Sequence, residues 1–429
     1  MPYYRLANCS NEVATYREKG YEVRREVFMS KVSFKHISEA PADPIFGLIA
    51  DFNQDMRPGK ILLCVGIYLD EHLDAPVMKV VKKAEKNLVE RESTKTYLPI
   101  EGGKNFLGKI GSLIFGDFFW VKNRECIVAL QTPGGTGALR LGGEFLKQEV
   151  GNKISVPDPT WANHRGIFAA CGMQLDIYPY YSLQTQKLEF KRFMQHMENL
   201  TTGTVVLLHA CCHNPTGSDL TMDQWKIVSD LFLSKGLIPF FDFAYQGFRE
   251  GFDEDAGTVR LFAEAGHHMF VAYSLSKNFG LYAERTGGLF VLTESAEVSS
   301  KVLSKLKVII RTNYSNPPLH GAAIASEILS NPQLKKEWQE EVGSMRARMI
   351  KMRQLFCEAL IKKSPKRDFR FLLEKSGMFC YTGLDKKEVE RLREEFAIYM
   401  TQDGRMNLTG LNEENIEKVV DAIVKVSKI

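Results

Sequence analysis

Short apolar runs that end on a polar residue, separated by helix-like stretches, constrain this chain more than any other feature. Cys126–Gln131, Ile154–Val156, Val205–His209, Leu237–Asp242, Met269–Ser274 and Gly288–Leu292 read as strands. Helical patterns such as Gly137–Glu149 and Met222–Lys235 lie between them. This alternation predicts an α/β domain with a mostly parallel sheet. In such sheets ligands bind beyond the carboxyl ends of the strands. The polar residues at those ends are therefore the candidates for chemistry.

Bulk properties remove several alternatives. A chain of 429 residues exceeds what one core usually supports, so two domains are expected. With 56 basic and 52 acidic residues the net charge is +4, too balanced for a nucleic-acid partner. No apolar run approaches the ~18 residues of a membrane helix, so no membrane partner is expected. Eight cysteines are scattered without C-x-x-C spacing, the usage of a reduced, cytoplasmic protein. The first 28 residues carry five basic and four acidic side chains and no apolar core, unlike a secretory or transit signal. Residues 1–38 are read as a flexible extension, with Met29 as an alternative start. From Leu319 to Lys363 the chain reads as helical with a break at Pro332. A last helix, capped by Asn412, carries the core stripe Ile416, Val419, Val420, Ile423 and Val424.

Three strand ends stand out. Pro133-Gly-Gly-Thr-Gly137 joins a strand to a helix, where glycines let backbone N–H groups approach an anion. No Gly-Lys-Ser/Thr follows, which excludes a Walker loop. A dinucleotide fingerprint has Gly135, Gly137 and a following Asp158, but Arg140 stands at its third glycine. Phosphate binding and a plain tight turn both stay open on these residues. Asp242 closes an apolar strand and needs a partner, because an unpaired buried carboxylate costs several kcal/mol. An ion pair or a protonated ring nitrogen would serve. Lys277, in Ser274-Leu-Ser-Lys-Asn278, is a surface lysine or a carbonyl-reactive amine; Arg285 nearby favours the neutral amine that such chemistry requires. The cluster His209-Ala-Cys-Cys-His213 has no second group at zinc-site spacing and reads as packing, so no metal is expected.

A lysine, an aspartate and an anion cradle at three strand ends are what pyridoxal enzymes need. Longer runs carry the same pattern: Thr132-Pro-Gly-Gly-Thr-Gly-Ala-Leu-Arg140, Asp158-Pro-Thr-Trp-Ala-Asn-His164, His213-Asn-Pro-Thr-Gly217 and Asp242-Phe-Ala-Tyr-Gln-Gly-Phe248. Ser274 to Gly287, Arg311-Thr-Asn-Tyr-Ser-Asn-Pro-Pro318, Gly377-Met-Phe379 and Gly404-Arg-Met-Asn407 continue it. From about Ala40 onward the chain resembles the class I pyridoxal-phosphate-dependent aminotransferases, in the branch of aspartate and aromatic amino acid aminotransferases.

The resemblance implies a fold type I transferase. Its large cofactor domain, 76–344, would hold a mostly parallel seven-stranded sheet, and a smaller α+β domain would combine 39–75 with 345–429. It implies pyridoxal 5'-phosphate, a homodimer with shared active sites, and a ping-pong transfer from L-aspartate to 2-oxoglutarate that gives oxaloacetate and L-glutamate. Lys277 would bond the cofactor and then shuttle the substrate's Cα proton; Asp242 would keep the ring nitrogen protonated, with His164 behind it. Asn214 and Tyr245 would bond the phenolic oxygen, and Trp161 would stack on the ring. Gly135, Thr136, Ser274, Ser276 and Arg285 would hold the phosphate, joined by Tyr97 of the neighbouring subunit. Arg405 would bind the α-carboxylate, with Gly66, Trp161 and Asn214 alongside. Arg311, from across the dimer, would bind the distal carboxylate.

Ile67, Leu69, Ala75 and Thr96 depart from the choices usual in the aspartate group, whereas Thr136 and Asn316 match it. Leu275 stands where an aromatic residue is usual. Tyrosine and phenylalanine are therefore further expected donors, and an enzyme acting primarily on aromatic amino acids is the alternative. A pyridoxal lyase and a non-catalytic cofactor-binding protein are remoter readings.

Overall fold

A computed structural model describes residues 14–18, 21–25, 33–39, 44–364 and 367–427. The chain divides into two units, Met1–Asp43 and Pro44–Ile429. In the first, Ala14–Glu18 and Tyr21–Arg25 pair as antiparallel strands. The rest of the expected extension, Met29 included, lies largely outside the described residues.

The second unit is built on a seven-stranded sheet. Its strands are β1 (Ile127–Pro133), β2 (Lys153–Asp158), β3 (Gln174–Pro179), β4 (Val205–His209), β5 (Ile238–Phe243), β6 (Met269–Ser274) and β7 (Thr286–Leu292). The spatial order is β1-β7-β6-β5-β4-β2-β3, and only β7 runs antiparallel to its neighbours. Successive side chains point to opposite faces, as strand geometry requires. Val206, Leu208, Phe241, Phe243, Val271 and Tyr273 join one buried cluster, and Val205, Leu207, Phe240, Phe270 and Ala272 another. The strand β3 was not foreseen; at the sheet edge it is only half-buried, so its sequence has no continuous apolar run.

Local chemistry sets the helix limits. Thr221 and Gln224 form a capping box before Met222–Lys235, and Gly236, at φ +64°, ends that helix. Pro332 is the first residue of the long helix Pro332–Lys363, and Asn331 caps it by accepting from Gln333 and Leu334 N–H. One expectation needs correction. The glycine loop is not separate from its helix, which begins at Gly134 because Gly134 and Gly135 are already its first turn. Asn412 caps the turn that leads into the last helix, Ile416–Val426: its Oδ1 accepts from Asn415 N–H at 2.9 Å and its backbone O from Ile416 N–H at 3.1 Å.

A third buried cluster collects Ile61, Leu63, the distal half of the long helix from Met352, and the chain to Val426. There Phe379–Tyr381 pairs antiparallel with Arg405–Asn407, and Ile398–Tyr399 pairs parallel with Ile61–Leu62. Among the described residues no helix is long and apolar enough to cross a membrane.

Candidate active site

The carboxyl ends of β4, β5 and β6 and the start of β7 meet at one edge of the sheet, because β7 is reversed. Register puts Asp242 beside His209 on one side and Ala272 on the other, and pairs Ser274 with Gly287. A cavity of about 320 Å³ opens there. Its walls include Gly66, Gly135, Thr136, Trp161, Asn214 and Asp242, then Tyr245, Ser274, Ser276, Lys277, Arg285 and Arg405.

Lys277 projects from the loop after β6, and its Nζ donates to Gly66 O at 2.8 Å. Burial, and then the Arg285 cation, push its pKa from 10.5 down to about 8, against the opposing pull of Asp242. The neutral, nucleophilic amine is thus reached well below the range of an exposed lysine.

Behind the cavity a directional chain of hydrogen bonds ends on Asp242. Asn214 N–H donates to His209 Nδ1 at 3.0 Å, which leaves the proton of neutral His209 on Nε2. That nitrogen lies 3.4 Å from Thr160 Oγ1, which in turn is 2.7 Å from His164 Nδ1. His164 Nε2–H then donates to Asp242 Oδ2 at 2.9 Å. Burial alone would raise the Asp242 pKa, but His164 first, with His209 and Lys277, brings it below the usual carboxylate value. Burial holds His209 down at about 3, so it stays neutral. His164, His209 and Asp242 approach closely enough for a metal ion, yet both ring nitrogens of His164 are already engaged. The His209 and His213 rings stack at 4.1 Å, so the two histidines of the expected packing cluster do pack against each other.

The arrangement has space for a phosphorylated, ring-shaped ligand. A Cβ on Gly134, at φ +72°, would stand 2.6 Å from the Arg285 guanidinium, and one on Gly135 would stand 3.0 Å from Ser274 Cβ. Both glycines keep open a cradle between the helix start, Ser274 and Arg285. Ser274 Oγ lies 3.2 Å from Ser276 Oγ. Asn214 lies 3.4 Å from the Tyr245 hydroxyl, and its buried Oδ1 has no partner among the described residues. Burial raises the Tyr245 pKa, so the phenol remains a donor. A ring with a protonated nitrogen, a phenolic oxygen and a phosphate satisfies Asp242, the Asn214–Tyr245 pair and the cradle together.

Arg405 is only 5% exposed. Its Nη2 donates to Cys64 O at 2.9 Å and its guanidinium lies 4.6 Å above the Phe379 ring. No carboxylate of the described residues pairs with it. Tyr97 and Arg311 do not line this cavity; both are exposed. They belong to adjoining segments, since Asn316 Nδ2 donates to Leu98 O at 2.7 Å. Ile67 and Leu69 are also absent from the walls; Leu69 N–H donates to Thr409 Oγ1 instead.

Thr160 and His209 were not foreseen as site residues, although the register of β4 against β5 brings His209 beside Asp242. Tyr282 also escaped notice; its hydroxyl accepts from Tyr68 N–H at 2.9 Å while its ring lies 5.0 Å from Lys277 Nζ. No local spacing marks Tyr282 as a neighbour of Lys277.

Residues 58–423 match the family described as aminotransferase class I and II. The aspartate aminotransferase of Salmonella typhi is 45% identical over 394 residues, covering 92% of this chain and 100% of that protein. The aromatic-amino-acid aminotransferase of Burkholderia pseudomallei, solved covalently bound to pyridoxal phosphate, superposes with a TM-score of 0.89 at 42% identity, covering 93% of this chain and 100% of that one. The aromatic amino acid aminotransferase of Psychrobacter sp. B6, cocrystallised with aspartic acid, gives 0.90 at 39% identity, covering 92% and 100%.

Proposed function

This chain belongs to the class I and II aminotransferases, and we propose that it moves the amino group of L-aspartate to 2-oxoglutarate, giving oxaloacetate and L-glutamate in a ping-pong cycle. The observation that carries this reading is one cavity shared by the Lys277 amine and the buried Arg405 guanidinium. The cofactor is pyridoxal 5'-phosphate, which when bound supplies a carbonyl for amine capture and a cationic ring that accepts the electron pair of the broken Cα–H bond.

Lys277 holds the cofactor and, once released, takes the proton from the substrate's Cα at Nζ. Asp242, kept ionised through His164, holds the proton on the ring nitrogen. Trp161 covers the ring, and Asn214 and Tyr245 hold the phenolic oxygen. Gly135, Thr136, Ser274, Ser276 and Arg285 grip the phosphate. Arg405 orients the α-carboxylate, where a planar guanidinium gives a two-point grip, with Gly66 beside it. Of the described residues in the second unit, 76–344 form the large domain, and 44–75 with 345–364 and 367–427 the small one; the separate buried cluster around Met352–Val426 supports that division.

Tyrosine and phenylalanine are accepted as further donors, a reading favoured by the apolar walls Leu139, Trp161 and Phe379. Steady-state rates with 2-oxoglutarate should rank aspartate above tyrosine and phenylalanine. The reverse order would make the enzyme primarily an aromatic aminotransferase.

The working unit is a cytoplasmic homodimer in which Tyr97 and Arg311 serve the neighbouring protomer's site. The exposure of both residues, on segments tied by Asn316, supports this. The seven described cysteines are all free, in keeping with a reducing compartment. Lys277→Ala and Arg311→Ala chains, each inactive on aspartate, should regain about a quarter of wild-type activity after subunit exchange, because about half of random dimers then hold one complete site. A mixture no more active than its parents would rule out shared sites.

A further inference from the structure

Side chains take four successive carbonyls in the segment Cys64–Tyr68. Cys64 O accepts from Arg405 Nη2 at 2.9 Å and Gly66 O from Lys277 Nζ at 2.8 Å. Val65 O and Ile67 O both accept from Asn407 Nδ2, each at 2.7 Å. At the far end Tyr68 N–H donates to the Tyr282 hydroxyl at 2.9 Å. Gly66 lines the active cavity, whereas Asn407 is 1% exposed and stands outside its walls.

Asn407 has one way to sit here. Both Nδ2 protons are used, and Oδ1 accepts from Thr409 N–H at 2.9 Å. Turned over, the amide would set its oxygen against two carbonyls. A peptide unit is planar, so holding Val65 O and Ile67 O fixes the units on either side of the one that carries Gly66 O. Without that hold, a residue lacking Cβ would leave its carbonyl several directions. The direction matters, because Gly66 O is the only hydrogen-bond acceptor of Lys277 Nζ among the described residues.

We propose that Asn407 is a positioning residue for the proton transfer: it aims Gly66 O at Lys277 Nζ, and Tyr282 pins the other end of the same segment. This rests on the reading of Lys277 as carrier of the Cα proton. In that step the Cα–H bond breaks, the proton passes to Nζ, and the electron pair goes to the cofactor ring. One N–H of the amine held on Gly66 O gives its lone pair a fixed direction. After the transfer the same oxygen receives the ammonium group, and a hydrogen bond to the charged form makes the amine a stronger base.

Two variants test this. Asn407→Ala removes both donors; Tyr282→Phe removes the hydroxyl and keeps the ring that lies 5.0 Å from Nζ. Competitive acetylation of Lys277 by acetic anhydride in the cofactor-free full-length chain, read by peptide mass against pH, reports the amine itself. Wild type should titrate near about 8. Asn407→Ala should lower that midpoint by about one pH unit, because the ammonium form loses its acceptor, and Tyr282→Phe should lower it by less. In the holoenzyme Asn407→Ala should cut kcat by about 10- to 100-fold, the cost of a misplaced reacting group. Tyr282→Phe should cut it about five-fold, the worth of one hydrogen bond. KM for aspartate should change by less than about two-fold in both, since Arg405 keeps its place. The isotope effect on kcat with Cα-deuterated aspartate should rise.

A merely structural role would lower stability and leave the Lys277 midpoint unmoved, which would overturn the proposal. A raised KM with kcat intact would also overturn it, by placing the effect at Arg405. Should Asn407→Ala fail to fold, the midpoint in Tyr282→Phe decides alone. If the wild-type chain does not transaminate aspartate, the functional reading falls, and the acetylation midpoints still decide the role of Asn407.

Discussion

Replacing Lys277 with Ala should lower the turnover of aspartate with 2-oxoglutarate by on the order of 10⁴-fold or more, because the group that bonds the cofactor also moves the Cα proton. The cofactor should stay largely bound. Its phosphate cradle, built from the helix start at Gly134, Ser274, Ser276 and Arg285, does not depend on the amine. Loss of turnover with the cofactor retained is the pattern to look for, measured as steady-state rate beside pyridoxal phosphate content after gel filtration. Near-normal turnover would refute the role of Lys277. Loss of both together would show that the covalent bond, and not the cradle, holds the cofactor.

Asp242→Asn should cost about 10³-fold in kcat while leaving the fold intact. The substitution keeps the size of the side chain and can still accept from His164 Nε2–H, the 2.9 Å contact of the native chain. What remains to face the ring is then an amide N–H, a donor set against a nitrogen that has to carry a proton. The charge that stabilises a cationic ring is also gone, and in a water-excluded site that charge is worth several kcal/mol. Single-turnover rates with aspartate would read the effect directly. A loss below ten-fold would mean that the ring nitrogen is not held by Asp242.

Much of this was legible from the sequence, for physical reasons that differ by element. Strands such as Val205–His209 and Met269–Ser274 were read to the residue because both faces are buried and their apolar runs are continuous. Gln174–Pro179 escaped because an edge strand with half-buried side chains leaves no such run. Lys277, Asp242 and the glycine cradle were legible as residues that core packing would not choose, Arg405 only through the family resemblance, and all of them face one cavity. The Thr160–His209 part of the chain behind Asp242 was not, because it depends on register between strands that are distant in sequence. Ile67 and Leu69, which depart from the choices usual in the aspartate group, do not line the cavity.

The reversal of β7 has one more consequence. Because that strand returns to the edge where β6 ends, Lys277 and Arg285 sit near the two ends of a single connection, Leu275–Arg285, whose length is fixed by the flanking strands Met269–Ser274 and Thr286–Leu292. The attachment point for the carbonyl and the clamp for the phosphate are thus carried on one ruler. Adding or removing a residue in that connection would shift both anchors together, so this loop should tolerate substitution far better than any change in length.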